Sequence, residues 1–288
     1  MLNKKVFLAI LALALASMAC GVTINLPVDQ ITTGRTQTEE INVPAPQADI
    51  VDLTLTFGAG ELNLEPGTEA ALVSGTATYN VESFKPSIKV DKAQVRLETG
   101  NLDLHGFPNI NSKEIKNKWD LKLGDHAMQL KINAGAYQGD MNLGGLALKS
   151  LEVNDGAADA LLKFSDPNKT EMEMLRYTTG ASNVKLLSLA NANFTSMIFR
   201  SGAGDYTLDF SGELKRDAVV TVESGFSQLI IIVPEGTAAK VLFKGGLTNV
   251  DISGSWKKSG ETYVLGSGGP VITISLDMAA GNLALRTK

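Results

Sequence analysis

Few residues of this 288-residue sequence could carry out covalent or metal chemistry. There is one cysteine, Cys20, and there are two histidines, His105 and His126. Neither histidine has a second His or Cys at the spacing of a metal site, and no Gly-x-Ser-x-Gly turn supplies a nucleophile. We therefore predict no catalytic residues, no metal site and no cofactor, and we interpret both histidines as turn or strand-end residues.

Cys20 lies at the end of an N-terminal segment that has the features of an export signal. Lys4 and Lys5 precede an apolar run over residues 6–16. That run is shorter than the roughly 20 residues needed to span a bilayer, so it favours a secretory signal peptide over residues 1–19. The sequence Ser17-Met-Ala-Cys20 resembles the lipobox of bacterial lipoproteins, although Ser17 stands where that motif usually has Leu.

The lipobox resemblance implies that Cys20 is acylated, with chains such as palmitate, and becomes the mature N-terminus. The chain would then be exported and anchored to the membrane, with its body outside the cytoplasm. Ordinary signal-peptidase cleavage, with Cys20 as a bystander, is the alternative. Removal of residues 1–19 leaves 24 basic and 31 acidic residues, a net charge of −7. That charge argues against a nucleic-acid partner, and a lipidated Cys20 leaves no thiol for disulfides.

Residues 20–49 are rich in Thr, Gln, Asn and Pro, and they predict a lipid anchor followed by a flexible tether. From residue 50 onward, apolar residues alternate with polar ones and glycines recur, which predicts an all-β domain over residues 50–288. The first block of this pattern runs from Leu53 to Leu64, around Gly58.

The block around Gly58 recurs along the chain. Counted from the glycine, apolar residues stand five and three positions before it and mostly four, six and eight positions after it. Five copies follow in succession, and a last copy has Ala279 in the glycine position. The copies comprise Leu130, Ile132, Gly135, Met141 and Leu143; Leu151, Val153, Gly156, Leu162 and Phe164; Leu175, Tyr177, Gly180, Val184 and Leu186; Met197, Phe199, Gly202, Tyr206, Leu208 and Phe210; Val220, Val222, Gly225, Leu229, Ile231 and Val233; and Ile274, Leu276, Leu283 and Leu285.

The repeat glycines from Gly135 to Gly225 are 21, 24, 22 and 23 residues apart, a length that suits one coil of a solenoid. The step from the apolar residue before each glycine to the one after it is odd, so simple alternation would place the two sets on opposite faces. A bend at the glycine would turn both sets inward, and glycine tolerates such a bend. We predict a single elongated β-solenoid; a sandwich of β-hairpins is the alternative.

Two segments break the repeat. Residues 83–128 are predicted to leave the stack, and the glycine-rich segment from Gly245 to Pro270 is predicted to be a loop that covers the last coil. Trp119 and Trp256 lie within these segments and could fill the core there.

Three blocks carry a family resemblance: Phe57-Gly-Ala-Gly-Glu-Leu-Asn-Leu64, Asn117-Lys-Trp-Asp-Leu-Lys-Leu123 and the block from Gly202 to Gly212. They resemble the toast-rack domain, found near cell-wall-active antibiotics response proteins, and the broader group of adhesin-like β-repeat proteins. The resemblance implies a right-handed stack of short strands, an envelope location and no catalytic residues. Gly58, Gly135, Gly156, Gly180, Gly202 and Gly225 are the turn positions of that motif.

These observations predict a membrane-anchored surface lipoprotein whose solenoid acts as a non-catalytic, adhesin-like interaction module. Its expected partners are the membrane, through lipid on Cys20, and an envelope protein or cell-wall polymer; a link to envelope stress is a third hypothesis. Gly202-Ala-Gly-Asp205 is similar to a calcium β-roll turn, but the neighbouring copies lack that pattern. The alternative function is a polysaccharide-active enzyme on a β-helical scaffold.

Overall fold

The computed structural model describes residues 33–68, 70–99 and 115–288, which lie in one compact unit. Cys20 and His105 lie outside the described residues. Within these described ranges there are two short 3-10 helices, at Glu82–Phe84 and Leu189–Ala192, and no helix that is long and apolar enough to cross a membrane. The strands are β1 (Gln37–Val43), β2 (Val51–Pro66), β3 (Val73–Tyr79), β4 (Pro86–Asp91), β5 (Gln94–Thr99), β6 (Asn117–Leu123), β7 (Ala127–Asn142), β8 (Ala147–Lys163), β9 (Met172–Leu187), β10 (Phe194–Asp209), β11 (Ala218–Val233), β12 (Ala238–Ser253), β13 (Lys257–Ser259), β14 (Thr262–Leu265) and β15 (Val271–Thr287).

Eight of these strands are 16 or 17 residues long, and we call them rungs. The rungs pair side by side and parallel, in the order β2, β7, β8, β9, β10, β11, β15, β12. Equivalent repeat positions face each other: Phe199 of β10 is in register with Tyr177 of β9 and Val222 of β11. This confirms the predicted fold class, an all-β solenoid-like stack in one open sheet.

The core lies along the inner side of the rungs because each rung alternates apolar inward residues with polar outward ones. In β9, the side chains of Leu175, Tyr177, Val184 and Leu186 have no exposed surface. The connections between rungs also contribute to the core, since Phe164 and Leu189 are fully buried. Burial of each such side chain stabilises the fold by roughly 1.5–3 kcal/mol, so the long core needs no disulfide.

The structure differs from the sequence-based assignment of the tether. Residues 37–43 lie within the segment predicted as tether, but they form β1, which pairs antiparallel with β3. Ile41 and Val43 are buried against the core. The polar composition of this segment hid a strand in which alternate residues alone face inward. Any tether therefore ends before Gln37.

The described parts of the segment predicted to leave the stack, residues 83–99 and 115–128, instead cover its N-terminal end. The first half of β2 pairs with β5, and the second half pairs with β6, both parallel. Together β5 and β6 take the place of one rung beside β2. Trp119 of β6 is fully buried and packs edge-to-face on Phe57, with ring centroids 5.1 Å apart.

The segment from Gly245 to Pro270 also differs from the loop predicted there. Its first part completes rung β12, which pairs with β15 along Ala238–Ser253. The last strand in the sequence, β15, therefore lies between β11 and β12. Among the described strands, β14 alone pairs with the far side of β12, and β13 pairs with β14. Trp256, just before β13 in the sequence, is 9% exposed.

Candidate interaction surfaces

The six repeat glycines occupy one row that crosses the rungs, and this row explains why the residue is glycine. A Cβ atom added to Gly135 would lie 2.3 Å from the carbonyl oxygen of Gly58 in the neighbouring rung. The corresponding distances are 2.4 Å at Gly180, 2.7 Å at Gly202 and 2.6 Å at Gly225, against 3.2 Å at Gly156. None of these glycines has φ in the left-handed region. At Gly135, Gly180, Gly202 and Gly225, the close approach between rungs, rather than an unusual backbone angle, therefore requires glycine.

Buried and exposed residues alternate along the rungs, and this alternation shifts by one residue at the glycine row, which we call the corner. In β9, Leu175, Tyr177 and Thr179 are buried before Gly180, and Ser182, Val184 and Leu186 are buried after it. Thr179 and Ser182 are three residues apart, an odd number, so a straight strand would point them to opposite faces. The strand therefore has to turn at the corner to keep the residues before and after Gly180 facing the core. Two inward positions that the repeat pattern did not single out, one residue before the glycine and two after it, therefore line the corner.

These corner positions hold a cluster of polar groups centred on Asp155. The hydroxyl groups of Tyr177 and Tyr137 donate to its Oδ2 atom at 2.7 and 3.4 Å, and the Thr179 hydroxyl donates to Oδ1. Thr179 Oγ1 lies 2.6 Å from Ser182 Oγ, which accepts the backbone N–H of Ala158 at 2.9 Å. Burial raises the pKa of Asp155 above its usual value of 3.8, even though these hydrogen bonds favour the carboxylate.

The polar row continues along the corner into the next rungs. Ser224 Oγ lies 2.8 Å from Ser201 Oγ and 2.6 Å from Ser227 Oγ.

Burial also raises the pKa of Tyr137 and of Tyr177, which keeps both phenols protonated as donors. Asp155 and the serines have partners inside the corner, so the cluster holds adjacent rungs together. No histidine among the described residues belongs to it.

The outer faces of the rungs carry polar and charged side chains that interact between neighbouring rungs. Lys131 Nζ lies 2.9 Å from Glu152 Oε1, and the Arg200 guanidinium donates to Glu223 at 2.8 Å. Two shallow depressions of about 390 and 400 Å³ adjoin on the face formed by the second half of the first rungs. Asn63 and Asp140 line both of them. This face offers amide, carboxylate and ammonium groups at the spacing of the rungs.

The exposed apolar side chains of the corner concentrate near the C-terminal end of the stack. The residue after the repeat glycine is Ala in most rungs, but it is Phe226 in β11 and Leu247 in β12. Both are aligned with Ala280 of β15, which lies between them. Phe226 is 72% exposed and Leu247 is 86% exposed.

Other residues singled out in the sequence have structural positions. His126 lies in the turn between β6 and β7. Asp209, at the end of β10, is 5% exposed and accepts the backbone N–H of Ser211 at 2.8 Å. Within the described ranges, no group of three or more His, Cys, Asp and Glu side chains is arranged to hold a metal ion.

The chain is similar to a known family and to solved structures. The family model described as the N-terminal domain of toast_rack, DUF2154, matches residues 32–186. The crystal structure of a candidate cell adhesion protein from Clostridium sporogenes is 19% identical, with a TM-score of 0.52; the match covers 88% of this chain and 100% of that one. A candidate adhesin from Bacteroides fragilis is 10% identical, with a TM-score of 0.35, over 89% and 99% of the two chains. A search of curated proteins found no match.

Proposed function

This chain belongs to the toast-rack family, and from that premise we propose that it is a non-catalytic interaction module displayed on the outside of the cell membrane. The observation that supports this most directly is the stack itself. Eight rungs in register present rows of outward polar side chains, while the buried polar groups of the corner bond to one another. Such a surface suits recognition of an envelope protein or a cell-wall polymer.

In this proposal, acyl chains on Cys20 anchor the protein. Each buried methylene contributes about 0.8 kcal/mol, so a multiply acylated N-terminus remains stably in the bilayer. Residues 21–36 then separate the lipid from β1, which begins at Gln37. The envelope-stress hypothesis predicts that expression rises under wall-active antibiotics, and unchanged expression would count against it.

Replacement of the anchoring thiol tests the proposal. Cys20→Ala should move the protein from the membrane fraction to the soluble exported fraction and abolish incorporation of labelled palmitate, because no other cysteine exists to carry the lipid. The wild-type chain is the matched control. Equal membrane retention of both proteins, with no label in the wild type, would disprove the anchor.

The interaction half of the proposal needs a separate measurement. The Cys20→Ala protein, added to cells that lack the native chain, should bind to the cell surface in a saturable way. A screen against wall and plant glycans tests the competing enzyme hypothesis. Release of reducing ends, lost on replacement of one acidic pair, would support that enzyme and contradict a non-catalytic module.

A further inference from the structure

The second half of the last rung in the sheet, residues 245–253 of β12, has an outer backbone edge with which no described strand pairs. We call this half of β12 the arm. β12 pairs with β15 from Ala238 to Ser253, but on its other side β14 pairs only with Ala239–Leu242. The last backbone hydrogen bond on that side runs from Phe243 N–H to the Glu261 carbonyl, at 3.0 Å. No described strand pairs with the outer edge of residues 245–253. A strand edge of this kind presents unpaired N–H and C=O groups that can accept another strand.

The core layer under this arm is also incomplete. Ile252 is 38% exposed and Val250 is only partly buried, whereas Leu283 and Leu285, at the same positions of β15, have no exposed surface. The difference arises because each inner rung is covered on both sides and β12 is covered on one. One more strand with aliphatic residues at alternate positions would complete the layer.

The charges on the arm indicate which strand fits. The Asp251 carboxylate is bound by the Arg286 guanidinium from the β15 side, and its side chain remains 65% exposed. A basic residue on an incoming strand would add a second ion pair at this row. The free side of Asp251 therefore favours a strand with Lys or Arg at the adjacent position.

Strand β1 of a second copy, which would continue the stack, does not offer such a strand. Among the described strands, β1 forms the edge at the opposite end of the sheet, level with the second half of each rung. The strand pairings from β1 through β3, β6, β2 and the other rungs place Glu40 in the same cross-strand row as Asp251. Continuing the stack from copy to copy would set these two carboxylates side by side. Like charges directly opposite each other are destabilising.

We propose that the outer edge of residues 245–253 is a docking site for an extended strand of a partner protein. The strand runs along β12, buries aliphatic side chains over Val250 and Ile252, and places a basic residue beside Asp251. This inference rests on the proposed interaction function and assigns it a location. Strand addition supplies affinity through the backbone and specificity through alternate side chains.

A matched pair of peptides tests the proposal on the full-length Cys20→Ala protein. Both copy residues 279–288, the natural neighbour of this arm; one carries Ala284→Lys and the other Ala284→Glu, so that position 284 stands in the row of Asp251. Isothermal titration calorimetry should show that the Lys peptide binds at least tenfold more tightly than the Glu peptide. Asp251→Lys in the protein should reverse that preference.

A substitution at the edge provides the second arm of the experiment. Ile252→Lys places a charge where the added strand would bury its side chains, and it should reduce binding of the Lys peptide at least tenfold. Val219→Lys, at a 55% exposed valine on the outer face of β11, should leave binding unchanged. Circular dichroism melting establishes that both variants fold.

Three outcomes would overturn the docking site: no binding of either peptide, no effect of Ile252→Lys, or concentration-dependent oligomers of the wild type that Ile252→Lys dissolves. The last result would make a second copy the occupant. If the peptides fail to bind while the Cys20→Ala protein still binds cells, the docking site is wrong and the proposed function stands. Loss of cell binding as well would reject both.

Discussion

At the scale of single residues, the corner places two kinds of residue side by side: glycines where the backbones of neighbouring rungs approach closely, and polar side chains where inward space has to be filled. At Gly135, Gly180, Gly202 and Gly225 the glycine row has no space for a Cβ atom, because a carbonyl oxygen of the preceding rung lies 2.3–2.7 Å from that position. Beside that row, Asp155 and the hydroxyl groups around it fill inward positions with hydrogen-bonded polar atoms. Unpaired groups at such buried positions would cost about 1–3 kcal/mol each.

Gly135→Ala should destabilise the fold, and Gly156→Ala is its matched control. The new methyl group would lie 2.3 Å from a backbone oxygen in the first case and 3.2 Å in the second. Overpacking against backbone costs about 1–3 kcal/mol, so we expect a loss of that size for Gly135→Ala and a smaller loss for Gly156→Ala. Urea unfolding monitored by circular dichroism measures both. Equal losses would contradict the close-approach explanation.

Asp155→Asn should change how stability depends on pH. Because burial raises the pKa of Asp155 in the folded state, the folded protein holds the proton more tightly than the unfolded chain does. Asp155 therefore stabilises the folded state at pH values below its unfolded pKa of 3.8, and this stabilisation is lost as pH rises through its folded pKa. The wild type should therefore lose free energy of unfolding relative to Asp155→Asn between pH 3 and pH 7.

Glu152→Gln provides the opposite control for this pH experiment. Hydrogen bonds from Asn154 and from Lys131 lower the pKa of Glu152, so its contribution is present above the unfolded pKa and is lost as pH falls. The wild type should gain free energy of unfolding relative to Glu152→Gln as pH rises. Chemical denaturation at a series of pH values gives both slopes. Slopes of the same sign would refute the assignment of Asp155.

At the scale of elements, strand order departs from chain order at the C-terminus. β15 is the last strand in the sequence but an inner rung of the sheet, with β11 on one side and β12 on the other. β12 follows β11 in the chain without pairing with it. β12 and the β13–β14 hairpin therefore depend on the last residues of the chain for their attachment.

Removal of residues 271–288 should disrupt this end of the molecule. β12 would lose its full-length parallel partner and β11 would become an edge, so amide exchange in β12 and β14 should approach that of an unfolded chain. Hydrogen exchange with mass spectrometry measures this by segment. Removal of Lys288 alone, after β15 ends at Thr287, is the control and should preserve protection. Protected β12 amides in the long truncation would contradict the role given to β15.

At the scale of the whole described unit, the two ends of the stack differ. At the N-terminal end, β2 is covered along both halves by β5 and β6, which are extended by β4 and by β3 and β1. At the C-terminal end, β14 and β13 cover only the first half of β12. Ten strand-to-strand steps separate β1 from β12, roughly 50 Å along the sheet.

The repeat was readable from the sequence because its determinants are local. Alternation of apolar residues and the recurring glycine specify which side chains face inward in each rung, so Leu175, Tyr177, Val184 and Leu186 could be assigned to the core in advance. The stacked all-β architecture followed from the preserved register of these copies. The same pattern identified Gly58, Gly135 and the other repeat glycines, although not the contact that requires them.

Only the tertiary structure decided which strands pair across long separations. β1 is a strand because β3 offers it an edge, and β15 enters between β11 and β12; no local periodicity encodes either pairing. The Asp155 cluster and the free arm of β12 have the same origin, because they depend on which rung lies beside which. Cys20, by contrast, is known from its sequence context alone, and its lipidation is a proposal for experiment to test.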